Sequence, residues 1–342
     1  MILHEPPLPP ARTLDAMSPQ TSRRRGGALT RTWPAPEAGA PFAHPALFYD
    51  GDREYLDGTV AFLRDGLAAG EPAAVAVPGP RLAPLREALG ADAARITWLD
   101  MTRAGRNPGR IIPGVLREFA DRHGDGGRAR IIGEPVWPGR TDLEYPACAR
   151  YEALINLAFA GRPVTILCPY DVAGLAPDVL ADARATHPTL IDRHGTRASD
   201  AYAPEHVISR YNRRLPVPVD ADLMAFDLDA LPEVRRFTCE RAAAFGLDPV
   251  RVGDLELVVN ELAANSVVHG LGAGVVRVWA EGGQVVCEVR DGGMITDPLA
   301  GLVPVRLGTD GGRGLIMVNH LADLVRVHTG PDGTTVRVHL DL

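Results

Sequence analysis

The chain has 342 residues, 46% hydrophobic and 23% charged, with a formal net charge of −7. A chain of this length suggests about two domains, each able to bury its own core, and the acidic balance argues against a nucleic-acid-binding surface as the main function. All 36 basic residues are Arg. A Walker-A lysine, a Schiff-base lysine and a lysine general base are therefore excluded, and any cation that meets a phosphate must be a guanidinium.

No apolar run approaches the roughly 18 residues of a membrane helix, and the N-terminus lacks an apolar core before a small-residue cleavage site. The expected compartment is the cytoplasm, with no membrane partner. Cys148, Cys168, Cys239 and Cys287 show no CxxC spacing, which supports neither a zinc site nor a disulfide framework. They read as buried thiols, with Cys168 the one candidate for another role.

Residues 1–40 are rich in Pro, Ala, Arg, Ser and Thr without periodicity and read as a disordered leader, which includes the basic run Arg23-Arg24-Arg25. From residue 41 to 195 helical and strand patterns alternate. Helices are predicted over 55–69, 81–89, 111–123, 148–159 and 176–185, and strands over 73–77, 96–99, 129–132 and 164–168. Such alternation implies a mostly parallel sheet covered on both faces. Ligands bind such sheets outside the carboxyl ends of the strands. Glu134-Pro135-Val136-Trp137, Cys168-Pro169-Tyr170-Asp171 and Leu99-Asp100 fall there. For Trp137 and Tyr170 ordinary packing competes with ligand contact. The strand–turn–helix over 73–89 stands where a phosphate loop would be, but its PGPRLAP lacks a Gly-Lys-Ser element, so no nucleotide is expected in this half.

His44-Pro45-Ala46-Leu47-Phe48-Tyr49 opens this half and Tyr55-Leu56 begins its first helix. GLAAGE at 66–71, Glu134 with Trp137, Tyr151-Glu152 and Cys168-Pro169-Tyr170-Asp171 follow. In these short motifs the half resembles the MEDS sensory domain, named after methanogen and methylotroph regulators of the DcmR type. The resemblance implies a RecA-like α/β fold without a working P-loop and a role in sensing an unidentified small molecule. His44, Tyr49, Glu134, Trp137, Cys168 and Asp171 are the ligand contacts it implies.

Residues 196–220 carry turn residues and read as a linker with one short helical piece. In 221–342 helices are predicted over 231–245, 251–270 and 315–321. Strand hairpins are predicted over 274–290 and 324–340, turning at Glu281-Gly282-Gly283 and Gly330-Pro331-Asp332-Gly333. Helices on one side of an antiparallel or mixed sheet make an α+β two-layer sandwich.

The helix at 251–270 organises this half. Leu255, Val258, Val259, Leu262 and Val267 recur at helical spacing, and Glu261, Asn265 and His269 line one face at i, i+4 and i+8. Taken alone, such a triplet is a solvated stripe; the two Gly-rich turns downstream change its meaning. The purine amine is a donor, so a carboxylate at a strand end followed by glycines, Asp291-Gly292-Gly293, can select adenine. Mg2+ needs only one or two protein oxygens beside the phosphates, and Asn265 offers one. Phosphates need backbone N–H groups at a helix start, which Gly311-Gly312-Arg313-Gly314 supplies with Arg313 as cation. Thr334 offers a hydroxyl near the purine.

With Glu261-Leu-Ala-Ala-Asn265-Ser-Val-Val-His269-Gly270 as an N box, Asp291-Gly-Gly293 as a first glycine box and Gly312-Arg-Gly314 as a second, 221–342 resembles the GHKL ATPase family. The nearer match is to its anti-sigma-factor serine kinases. That resemblance implies the Bergerat ATP-binding fold, Mg-ATP as cofactor, and phosphorylation of a serine on a STAS-type anti-anti-sigma partner, with a sigma factor as second partner and a homodimer as the family's assembly. It makes Glu261 the general base, Asn265 the Mg2+ ligand, Asp291 the adenine contact, and Gly293, Gly312 and Gly314 the pocket and lid; His269 caps or packs the helix end. Two departures bear on lid closure and turnover: Ile295 stands where the first box has its second glycine, and the lid at 298–309 is short. Two other readings compete. One is ATP-dependent sequestration of a partner without phosphoryl transfer. The other is a sensor histidine kinase, which needs a phosphoacceptor His on a helical hairpin before the ATP domain; the linker offers only His206.

Overall fold

Runs of small and branched apolar residues build the first sheet. The computed structural model describes residues 41–123, 127–303 and 313–342; the leader at 1–40 lies outside them. Strands β1 (Phe42–Ala43), β2 (Pro45–Tyr49), β3 (Ala73–Val77), β4 (Ile96–Asp100), β5 (Ala129–Gly133), β6 (Val164–Asp171), β7 (Thr189–Asp192) and β8 (Gly195–Ala198) form it. Their order is β4-β3-β5-β6-β2-β7-β8, with β1 also on β6. Only the β7–β8 pairing is antiparallel; the others are parallel.

Helices α1 (Gly51–Ala68), α2 (Gly79–Leu89), α3 (Met101–Ala104), α4 (Glu118–Arg122), α5 (Tyr145–Ala158), α6 (Pro177–Thr186) and α7 (Pro204–Tyr211) accompany this sheet. Alternate residues of one strand enter different cores. Ile131 and Ile166 join Leu154 and Ile155, whereas Ile132 and Leu167 join Phe62 and Leu63. Both sheet faces are thus covered, and β2, β3 and β5 are buried along their whole length, as parallel strands require.

The helix predicted over 111–123 is broken. Pro108–Arg110 is a 3-10 turn, Ile111–Arg117 is π-helical, and only Glu118–Arg122 is α-helical. Pro113 accounts for this, because its ring has no N–H for the ladder and crowds the preceding turn. The connecting segment continues the first sheet through β8 and packs α7 on α5, with Val207 against Ala149 and Ala153.

The second sheet is antiparallel, in the order β12-β13-β11-β10-β9. Its elements are β9 (Asp222–Asp227), α8 (Leu231–Ala244), α9 (Pro249–His269), β10 (Ala273–Glu281), β11 (Gln284–Asp291), α10 (Gly314–Leu321), β12 (Leu324–Gly330) and β13 (Gly333–Asp341). Asp248 caps α9 by accepting from Val250 N at 2.8 Å, and Pro249 follows at the first turn. Leu255, Val258 and Val259 of α9 pack on Val276, Val285 and Val338 of the sheet. This is the two-layer α+β sandwich expected from the hairpin and helix pattern.

The carboxyl end of α10 meets the first domain. Asn107 Nδ2 donates to Asn319 O at 2.8 Å, Arg110 Nε to the same carbonyl at 3.1 Å, and Arg110 Nη2 to Ala322 O at 3.1 Å. These donors satisfy carbonyls that a helix end leaves without intrahelical partners.

Candidate functional site

Asp291 stands at the last position of β11, where the strand turns past the end of α9. Its Oδ2 accepts from Ser266 Oγ at 2.7 Å and its Oδ1 from Gly293 N at 2.8 Å. Each carboxylate oxygen keeps accepting capacity for a further donor. Glycines make this placement possible. A Cβ on Gly270 would overlap the Asp291 carboxyl group, one on Gly293 would overlap His269 O, and one on Gly333 would overlap Asp291 O.

The strap after Asp291 is held by a directed chain of hydroxyls. Ile295 N–H donates to Thr329 Oγ1 at 2.9 Å, and Thr334 Oγ1 donates to Gly293 O at 2.9 Å. Thr334 has then spent its proton, so Thr329 donates to Thr334 Oγ1 across their 2.9 Å contact. The β11–β13 register sets Asp291 opposite Thr334, which puts this hydroxyl beneath the strap. Ile295, in place of the expected glycine, is fixed through its backbone.

Glu261 and Asn265 lie one turn apart on α9, both half-buried. Among the described residues neither side chain has a hydrogen-bond or ion-pair partner. Gly314, the first residue of α10, lies against Glu261, and a Cβ there would overlap Glu261 Oε2. Arg313 precedes it and is exposed. Gly312, Gly311 and lid residues 304–309 lie outside the described residues. Sequence reading did not single out Ser266 or Thr329, and took Gly333 only as a hairpin turn residue. A serine inside a helix ordinarily bonds its own preceding turn, and Ser266 Oγ also lies 3.1 Å from Leu262 O, so nothing local flags its bond to Asp291.

In the first domain the structure divides the six implied contacts. Tyr49, Glu134 and Asp171 gather at the carboxyl ends of β2, β5 and β6 with Tyr55 and Arg81. Tyr55 OH donates to Glu134 Oε2 at 3.2 Å, and Arg81 Nη2 to Tyr49 OH at 3.3 Å. The Arg81 guanidinium lies 4.6 Å from the Tyr55 ring centre. His44 and Cys168 belong to a second cluster with Glu152 and His187. Trp137 joins neither by a hydrogen bond or ring contact among the described residues; it lies 3.9 Å under the Arg140 guanidinium.

Burial pushes the Glu134 carboxyl up to about 8, against the opposing influence of Arg81 and the Tyr55 hydroxyl, with Asp171 adding to the rise. The folded state therefore favours protonated Glu134, and between about pH 4.5 and 8 it binds more protons here than the unfolded chain. Stability falls as pH rises through that window, at most by about 1.4 kcal/mol per pH unit. Glu134→Gln is expected to flatten the decline in urea midpoint between pH 5 and 8. An unchanged slope in the variant would refute this protonation state.

In the second cluster, burial and the neighbouring His187 push His44 down to about 3. Burial alone would raise Glu152, but His187, His44 and the Tyr170 hydroxyl outweigh it and hold the carboxylate low. Burial and then Glu152 push the Cys168 thiol well up. His187 is the member that sequence reading missed; a lone His-Pro pair carries no ligand spacing.

Residues 43–188 match the family model of the MEthanogen/methylotroph, DcmR Sensory domain, and residues 224–340 match that of the histidine kinase-like ATPase domain. No curated protein matches the chain. Among solved structures, the RsbU and RsbW domains of Rv1364c from Mycobacterium tuberculosis are similar at 24% identity and a TM-score of 0.28, over 38% of this chain and 33% of that one. The chain thus spans about a third of the length of that relative. The histidine kinase AdeS of Acinetobacter baumannii is similar at 11% identity and a TM-score of 0.22, over 58% of this chain and 96% of that one. Among the described residues no helix is long and apolar enough to cross a membrane. The chain joins a MEDS sensory domain at residues 43–188 to a histidine kinase-like ATPase domain at residues 224–340.

Proposed function

We propose that this protein is a sensor-coupled anti-sigma regulator whose second domain binds Mg-ATP and phosphorylates a serine on a STAS-type anti-anti-sigma partner. The observation that carries this reading is the placement of Asp291. A strand-end carboxylate, locked by Ser266 and the Gly293 N–H and closed in by glycines, presents acceptors to a donor as a purine amine requires. The N-box order of Glu261 and Asn265 supports the serine-kinase branch. Asn265, half-buried and without a partner among the described residues, fits the role of holding Mg2+, which would supply charge neutralisation at the phosphates. Glu261 takes the proton from the attacking hydroxyl, and its freedom from ion pairs among the described residues leaves it able to do so.

Control by the first domain is supported by the hydrogen bonds from Asn107 and Arg110 to the end of α10. That helix begins at Gly314, against Glu261, so one rigid element touches both the sensory domain and the nucleotide site. Ligand bound among Tyr49, Glu134 and Asp171 acts through this contact.

The test uses labelled ATP, Mg2+, the full chain and a co-encoded STAS protein. Label is expected on a STAS serine, at a rate reduced by about 100-fold or more in Glu261→Ala. Nucleotide-dependent binding of the partner without label would favour sequestration instead, the reading to which Ile295 and the short lid lend weight. Label on a histidine of this chain would favour a histidine kinase. His206 is exposed on the eight-residue helix α7, which packs on α5, and among the described residues no helical hairpin surrounds it.

A further inference from the structure

Inside the first domain, away from the nucleotide site, donor atoms of His44, Glu152, Cys168 and His187 all lie within 4.8 Å of one another. All four residues are 2% exposed or less. They come from separate elements: His44 from the break between β1 and β2, Glu152 from α5, Cys168 from β6 and His187 from the end of α6.

Neighbouring groups settle which imidazole nitrogens face inward. The Asn156 amide nitrogen donates to Ala153 O at 3.1 Å and to Thr186 O at 2.8 Å. Its Oδ1 is therefore the acceptor 3.1 Å from His44 Nδ1, and that nitrogen carries the hydrogen. Ala183 O, which can only accept, lies 2.8 Å from His187 Nδ1, so that nitrogen carries hydrogen too. The Nε2 atoms of both rings then turn toward Glu152 and Cys168. His44 Nε2 is 3.4 Å from Cys168 Sγ and 4.0 Å from Glu152 Oε2. His187 Nε2 is 3.1 Å from Glu152 Oε2, and Cys168 Sγ is 3.8 Å from Glu152 Oε1. Bonds of about 2.0–2.3 Å to a tetrahedral ion set its ligands roughly 3.3–3.8 Å apart. The pairs given above, at 3.1–4.0 Å, straddle that measure, and no pair of donors is more than 4.8 Å apart.

We infer that His44, Glu152, Cys168 and His187 form a closed tetrahedral site for a divalent cation of the zinc class. One thiolate and one carboxylate balance the charge of such an ion in a buried setting where an uncompensated charge would be costly. The supporting shell is in place, with Asn156 on His44, Ala183 O on His187 and Tyr170 OH donating to Glu152 Oε2 at 2.8 Å. In the metal-free chain the Cys168 thiol lies between His44 Nε2 and Glu152 Oε1, and binding releases its proton. Four protein ligands leave no open position, so the ion braces or reports rather than catalyses. Its reach extends further. Glu152 shares α5 with Arg150, whose Nη1 donates to Val327 O of β12 at 2.9 Å, so occupancy stiffens a helix that touches the ATPase domain.

The site uses no residue of the nucleotide pocket, and its test is independent of the proposed kinase activity. The full chain is stripped with a chelator and titrated with Co2+. One equivalent is expected to bind with intense tetrahedral visible bands and a thiolate-to-cobalt charge-transfer band, to be displaced by Zn2+, and to raise the melting temperature. Cys168→Ser is expected to lose the charge-transfer band, His187→Ala to weaken binding by about 100-fold or more, and Asn265→Ala to keep both. The stripped wild-type chain decides the matter even where a variant misfolds. Failure to take up Co2+, weak octahedral bands, or a charge-transfer band that survives in Cys168→Ser would each overturn the assignment.

Discussion

Asp291→Asn is expected to lower Mg-ATP affinity by about 100-fold, measured by calorimetry on the full chain. Hydrogen bonds to a charged acceptor contribute roughly 1.5–3 kcal/mol, which is about 10–150-fold in affinity. An amide in place of the carboxylate turns one acceptor into a donor, so it meets the purine amine with a like group. The substitution also touches two internal donors, the Ser266 hydroxyl and the Gly293 N–H. Ser266→Ala separates the two effects: it removes one anchor but leaves the carboxylate, and is expected to cost about tenfold. Affinity unchanged in Asp291→Asn would remove the adenine role and with it the nucleotide reading of this domain.

Gly333→Ala is expected to be the most damaging single methyl in the second domain. Gly333 has φ +109, a region where an L side chain is strained by roughly 1–3 kcal/mol. Its added Cβ would also overlap the backbone carbonyl of Asp291, which cannot move without carrying the whole strand end. Gly283 is the control, with φ +78 and nothing within 4 Å of its added Cβ. Gly283→Ala pays the backbone strain alone. The expected melting temperatures therefore fall by a few degrees in Gly283→Ala and by roughly 10 °C in Gly333→Ala, and only the latter loses ATP affinity. Equal, mild effects in both would show that the Asp291 turn is not held as tightly as its surroundings indicate.

Much of the architecture was legible from periodicity and punctuation. The strand at 73–77 was read at its true limits, and α9 was read to within two residues at its start because Leu255, Val258, Val259 and Leu262 recur at helical spacing before Gly270 ends the helix. β9 escaped because an edge strand with only Phe226 buried carries almost no apolar alternation. The π-helical stretch escaped because the apolar spacing of Ile111, Ile112, Val115 and Leu116 suits a regular helix until Pro113 is weighed. Linear order grouped Glu261, Asn265 and Asp291, since each motif announces itself locally. The lock around them was not legible. It depends on the register that sets Thr334 against Asp291 and on α9 passing close enough for Ser266 to reach across. The His44–His187 cluster was hidden for the same reason: 143 positions separate the two imidazoles, yet their ring centres are 4.1 Å apart.

The position of α10, bonded to the first domain at one end and lying against Glu261 at the other, has a consequence that runs backwards. A molecule settling in the first domain can alter ATP affinity through Asn107 and Arg110 only by the factor with which ATP, once seated, alters that molecule's own hold. Under the proposed function, the cell's adenylate charge would tune the threshold of the sensor, and a starved cell and a replete one would read the same signal differently.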